Sequence, residues 1–234
     1  MYLQGMDQQG RDQPGTSSLR DGIARRTGWA IVWLALGIVS IEFLLTVHGK
    51  YAHLGSSAYA MFASRHGWLW THLAGGGLTL VLGPLQFLTP WSRTRPRWHR
   101  WAGRLYIGGI LIACVGATGL IATSPAPFVI RSAFAMTALA WLTTALVAMI
   151  AIRRRQVWLH RRWMIRNYLV TLSPVTFRIL LQAHLQLGLP PSPGTIAFML
   201  WMSWLLPLLG YAGIDRARAL VRAARMQDAE AKPT

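Results

Sequence analysis

Apolar residues run along this chain in long unbroken stretches, separated by short clusters of arginine, proline and glycine. Six stretches approach or exceed the roughly 20 residues that a helix needs to cross a hydrocarbon core of about 30 Å. They are Trp29–Val47, Trp68–Thr89, Trp101–Thr123, Phe128–Ile152, Trp163–Leu187 and Ile196–Ile214. Because the apolar residues are continuous and do not alternate, the pattern predicts helices, not the strands of a barrel. Helices also keep their backbone hydrogen bonds internal, as hydrocarbon requires. The expected fold is all-α: a polytopic membrane protein with a six-helix transmembrane bundle over residues 29–214. Residues 1–28, rich in Gln, Gly, Asp, Ser and Arg, read as a flexible tail without the order of a cleavable signal. Residues 215–234 form a basic tail, in which Asp215–Met226 predicts a helix on the inner membrane surface, drawn to anionic lipid.

Charge sets the orientation. The chain carries 24 Lys and Arg against 7 Asp and Glu, a formal net charge of +17. Such a balance can signal nucleic-acid binding, but the bases lie between membrane-length runs and no nucleic-acid module accompanies them. Twenty of the 24 fall in the two tails and the second and fourth inter-span segments; only Lys50, Arg65, Arg131 and Arg178 lie elsewhere. The positive-inside rule then puts both termini in the cytoplasm. Tryptophans agree: Trp29, Trp33, Trp91, Trp98, Trp101, Trp158 and Trp163 cluster near that interface, and Trp68 and Trp70 near the outer one. The single cysteine, Cys114, excludes an internal disulfide, a CxxC site and an Fe–S cluster from this chain alone. No Ser/His/Asp set, carboxylate pair, HExxH or phosphate loop is legible.

Ionisable residues within spans carry the functional expectation. Glu42 is the only acid in a span, and Arg178 lies at a similar outer-half depth in the fifth. They either pair, which fixes helix packing, or act separately, Arg178 on an anionic or quinone-like group and Glu42 on protons. In the fifth span Asn167, Thr171, Pro174, Arg178 and Gln182 recur at helical spacing and predict one polar stripe, extended through Met164 to His160. That stripe reads as a lined cavity or cofactor slot, or as a polar packing seam.

Histidines sharpen the picture. His99 and His160 lie at the cytoplasmic ends of the third and fifth spans, with His72 and His184 near the outer ends of the second and fifth. Imidazoles on separate helices of a bundle suit the axial positions of haem b, and Arg100 and Arg161 beside them suit its propionates. His99 with His160 would hold one haem, and His72 with another outer histidine a second. His72, His99 and His160 are equally the candidates for a non-haem metal or a proton relay, and interfacial or packing histidines are the plain alternative. His72, Gly76, Thr79 and Gly83 form a slim stripe that fits a flat macrocycle or close helix packing. Gln86, after Gly83-Pro84, is positioned for a headgroup or cofactor.

Three strings carry a family resemblance: His72 with Gly83-Pro84-Leu85-Gln86-Phe87; His99-Arg100-Trp101-Ala102-Gly103-Arg104-Leu105-Tyr106; and His160-Arg161-Arg162-Trp163-Met164-Ile165-Arg166-Asn167-Tyr168. Together they resemble a bacterial family of predicted multi-pass membrane proteins of unknown function, over roughly residues 30 to 215. The resemblance implies a bacterial cytoplasmic membrane. In layout the chain is more distantly similar to transmembrane b-type cytochromes and ferric reductases, although its fourth span has no histidine. The leading expectation is a membrane redox protein binding haem b, with a quinol as candidate partner. Arg178, Asn167 and Gln182 would line a quinone or propionate site. The alternatives are a transporter or channel whose polar path is lined by Arg178, and an accessory subunit of a larger membrane complex.

Overall fold

The computed structural model describes residues 35, 37–51, 60–87 and 96–230, apart from the side chains at 222, 225 and 228–230. The tail 1–28, the start of the first span with Trp29 and Trp33, His53, and Trp91 with Arg93 and Arg95 lie outside the described residues. The elements are α1 (37–51), a 3-10 turn at Ala63–Arg65, α2 (His66–Gln86), α3 (Pro96–Ala122), α4 (Phe128–Arg153), α5 (Val157–Thr171), α6 (Ser173–Gln186) and α7 (Pro193–Glu230). Among the described residues the fold is all-α.

Among the described residues three helices are long and apolar enough to cross a membrane: α3, α4 and the Pro193–Val221 part of α7, with mean hydropathies of 2.1, 2.0 and 1.5. Their outward faces are greasy, with Leu111 54%, Val115 58%, Leu146 61% and Leu209 64% exposed. In water such surfaces would drive aggregation; in a bilayer they meet acyl chains.

Local chemistry sets the helix ends. Pro127 precedes α4 with extended backbone, and α4 stops when Arg155 enters the left-handed region at φ 60. There the Gln156 N–H donates to the Ala151 carbonyl at 2.9 Å and the Arg155 N–H to the Ile152 carbonyl at 3.0 Å, the Schellman pattern, with arginine where glycine is usual. Gly188, at φ 72, ends α6 in the same region without a Cβ penalty. The expected fifth span is longer than its apolar run and broken in two: α5 begins at Val157, and the helix turns at Leu172 because Pro174 supplies no N–H to continue it. The last helix also differs from expectation. The basic segment continues the sixth span as one 38-residue helix, about 57 Å long at 1.5 Å per residue, and does not form a separate helix on the surface.

Packing is tightest between α2 and α3. A methyl group at Gly75 would lie 2.5 Å from the Ala113 nitrogen and the Gly109 oxygen, and one at Gly116 would strike the His72 and Trp68 backbones. The two helices therefore touch backbone to backbone, which only small residues permit. Tyr106, Ile110, Cys114, Ala145, Ala148, Met164 and Tyr168 form a core shared by α3, α4 and α5, closed from α2 by Leu80. A second cluster, Ala133, Ala197 and Leu200 with Phe177, joins α4 and α7 to α6.

Candidate functional site

At the centre lies a closed polar network. The Asn167 side chain on α5 has no exposed surface. Its Oδ1 accepts from the Tyr106 hydroxyl at 2.7 Å, and its Nδ2 donates to the Trp141 carbonyl and the Thr144 hydroxyl, each at 2.9 Å. Tyr106 Oη lies 2.9 Å from Thr171 Oγ1, which also accepts from Trp141 Nε1 at 2.8 Å. Three helices, α3, α4 and α5, are thus tied together at depth with both amide hydrogens of Asn167 in use. A satisfied network of this kind fixes packing. Asn167 and Thr171 accordingly have their side chains engaged in packing contacts between helices.

The expected stripe does not continue past Leu172. Asn167 and Thr171 are buried, whereas Pro174 and Gln182 are exposed, because the turn at Leu172 changes which face of the helix looks inward. No ion pair joins Glu42 to Arg178. The Arg178 guanidinium instead lies 4.5 Å from the ring centroid of Phe43, one residue on from Glu42, which is itself exposed. A cation over an aromatic face is the contact that α1 and α6 make at this point.

The histidines divide. His72 sits in the α2–α3 seam, where its Nδ1–H donates to the Ala113 carbonyl at 3.0 Å. Gly75 and Gly116 beside it accommodate the facing helix; along the His72–Gly76–Thr79–Gly83 stripe Thr79 is fully buried and Gly83 makes room for the Tyr168 ring, whereas nothing lies within 4 Å of a methyl at Gly76. His184 lies on α6, which packs against α7, and its Nε2 is buried without a partner.

His99 on α3 and His160 on α5 lie within electrostatic range of each other. The backbones of these helices scarcely approach; side chains such as Tyr106 span the distance between them. His160 Nδ1–H donates to the Ala148 carbonyl at 2.9 Å, which fixes its tautomer and leaves Nε2 with a lone pair. His99 is set by Gln86. With the Gln86 amide oriented to satisfy its neighbours, its nitrogen lies 3.2 Å from both His99 Nδ1 and the His99 carbonyl, and its oxygen accepts from Gly103 N–H at 3.2 Å. His99 Nδ1 is then an acceptor and the proton sits on Nε2. The pair presents one lone pair and one N–H. Among the described residues no group of three or more His, Cys, Asp or Glu could hold a metal ion.

The arginines next to these histidines face elsewhere. Arg100 and Arg161 are exposed, and Arg100 lines an open cleft with Arg97, Trp101 and Arg104, about 100° round α3 from His99. Arg162 pairs with Asp215, and the Arg166 guanidinium lies 5.5 Å from the Tyr211 ring centroid, joining α5 to α7. Sequence reasoning counted Arg65 only as a charge, yet it is 8% exposed and reaches the Thr123 carbonyl just past the end of α3 at 3.4 Å, where a cation meets the negative end of the helix. Tyr106, Trp141 and Thr144 were also missed, although a tyrosine deep in an apolar span is a signal that a partner waits.

No curated protein and no solved structure matches the chain. A family described as "Predicted membrane protein (DUF2306)" matches residues 69–210, a segment that holds His72, His99, His160, His184 and Arg178 but not Glu42. Covering more than half of the 234 residues, the match shows that the chain belongs to this family of predicted membrane proteins.

Proposed function

We propose that this chain is an integral membrane redox protein of six spans with both termini cytoplasmic, in the bacterial inner membrane, and that it holds one haem b between His99 and His160. In this reading α1, α2 and the kinked α5–α6 pair cross the bilayer beside α3, α4 and α7. The observation that supports it is that His99 and His160 lie within electrostatic range of each other on two helices whose backbones scarcely approach. The Nδ1–H···O=C bond of His160 is the arrangement that orients a ligating imidazole. One haem is the better count, since His72 sits in the tight glycine seam between α2 and α3.

Haem would supply one-electron transfer, with quinol as the candidate partner. The chain's own residues would hold and orient it: His160 through Ala148 and His99 through Gln86. Ligation by His99 Nε2 needs the opposite tautomer from the one Gln86 now favours. A half-turn of the Gln86 amide supplies it, at the loss of the contacts with the Gly103 N–H and the His99 carbonyl. Against the transport reading stands the closure of Asn167 and Thr171 into their own network.

Absorption spectra of the purified protein and three variants test the proposal. His99→Ala and His160→Ala are expected to lose a reduced b-type band while still inserting, and His72→Ala to keep it. Retention of the band in both of the first two variants would rule out the site.

A further inference from the structure

At the start of α3, Arg97, Arg100, Trp101 and Arg104 line an open cleft of about 240 Å³. Their spacing of i, i+3, i+4 and i+7 puts all four on one face of the first turns, and all four are exposed. The Arg104 guanidinium lies 5.1 Å from the Trp101 ring centroid, which steadies it over the indole. Among the described residues no carboxylate pairs with any of the three arginines; the ion pair found there joins Arg162 to Asp215. Three like charges within two turns repel each other unless an anion lies among them. That anion is not at the histidine pair, since His99 sits roughly 150° round the helix from the centre of the arginine face.

The cleft opens at the end of an apolar 27-residue helix long enough to span a membrane. Trp98 and Trp101 are 61% and 60% exposed there, in the manner of an interfacial belt. One turn beyond Trp101, Leu105 continues the face as exposed apolar surface at 52%. The geometry points to a binding site for the phosphate of an anionic phospholipid, with guanidinium groups on the phosphate oxygens and an acyl chain along Trp101 and Leu105. A soluble phosphate would use the arginines but leave the apolar continuation bare. The site depends on the chain being in a membrane and not on the redox reading.

The test is native mass spectrometry of the full chain released from nanodiscs of mixed phosphatidylglycerol and phosphatidylcholine. Wild type is expected to retain about one phosphatidylglycerol per chain, and the Arg97→Ala/Arg100→Ala/Arg104→Ala variant to bind it about a hundredfold more weakly. A control of equal charge change on other exposed arginines, Arg154→Ala/Arg216→Ala/Arg218→Ala, is expected to retain it. Equal loss in both variants would reduce the effect to diffuse charge and overturn the site, as would full retention in the first. Displacement of the lipid by inorganic phosphate alone would overturn the lipid assignment in favour of a soluble phosphate.

Discussion

Replacing Asn167 with alanine removes three hydrogen bonds from a side chain with no exposed surface: one from Tyr106 and two to Trp141 and Thr144 on α4. Within membranes such bonds average about 0.6 kcal/mol and reach about 1.7, so three are worth about 2 kcal/mol. The lost side-chain volume leaves a small cavity that adds about 0.6 kcal/mol. No partner is stranded, because Tyr106 keeps Thr171 within hydrogen-bond distance, and the larger penalty for an orphaned buried group does not apply. The expected destabilisation is about 2.5 kcal/mol. It is measured by reversible unfolding in mixed micelles, against Gln182→Ala on the exposed side of α6, which should move stability by less than about 0.5 kcal/mol. A double-mutant cycle with Tyr106→Phe should return a coupling of about 1 kcal/mol. An Asn167→Ala protein as stable as wild type would refute the reasoning and reopen Asn167 as a residue held for a ligand.

Gly116→Ala should destabilise by about 1–3 kcal/mol, since the new methyl meets backbone on α2 that has nowhere to move. Gly76→Ala, with nothing within 4 Å, should be neutral or stabilising, and equal effects in the same unfolding assay would refute the close α2–α3 approach. Arg155→Gly should stabilise by about 1 kcal/mol by relieving its left-handed backbone; a lower thermal midpoint in detergent would contradict the Schellman ending of α4. On the redox reading, Gln86→Glu should keep the haem band and lower its midpoint potential by about 60 mV, because a carboxylate at His99 Nδ1 makes the ligand more basic. An unchanged potential in a redox titration would remove Gln86 from the site.

What was legible in the sequence were properties of single runs. Apolar length marked the stretches, and their ends fell within a few residues of α4 at both limits and of α2 at its start. The all-α class followed from continuity of the runs. Features that depend on rotation were less accessible. Pro174 enters the sequence pattern as a member of the polar stripe within one continuous span, and spacing did not show that Gln182 would be exposed while Asn167 stayed buried. Depth suggested that Glu42 and Arg178 meet, yet a single step of about 100° along α1 puts Phe43 there instead. Spacing on α2 could not separate a macrocycle face from a packing seam, because both require small residues; the close backbone contact with Gly109 and Ala113 falls on Gly75, beside the stripe. The Tyr106–Asn167 bond links residues 61 apart in the chain, a pairing that no local pattern encodes. The placing of His99 and His160 at matching helix ends was legible in the sequence, whereas the contact of Gln86 with His99 needed the fold.

The paired-histidine centre is tested most directly by a reduced-minus-oxidised absorption spectrum of the purified full chain in mild detergent, combined with a haem count. The account predicts a sharp b-type band on reduction with dithionite and about one haem per chain. A colourless protein, recovered folded from cells supplied with ample haem, would contradict it.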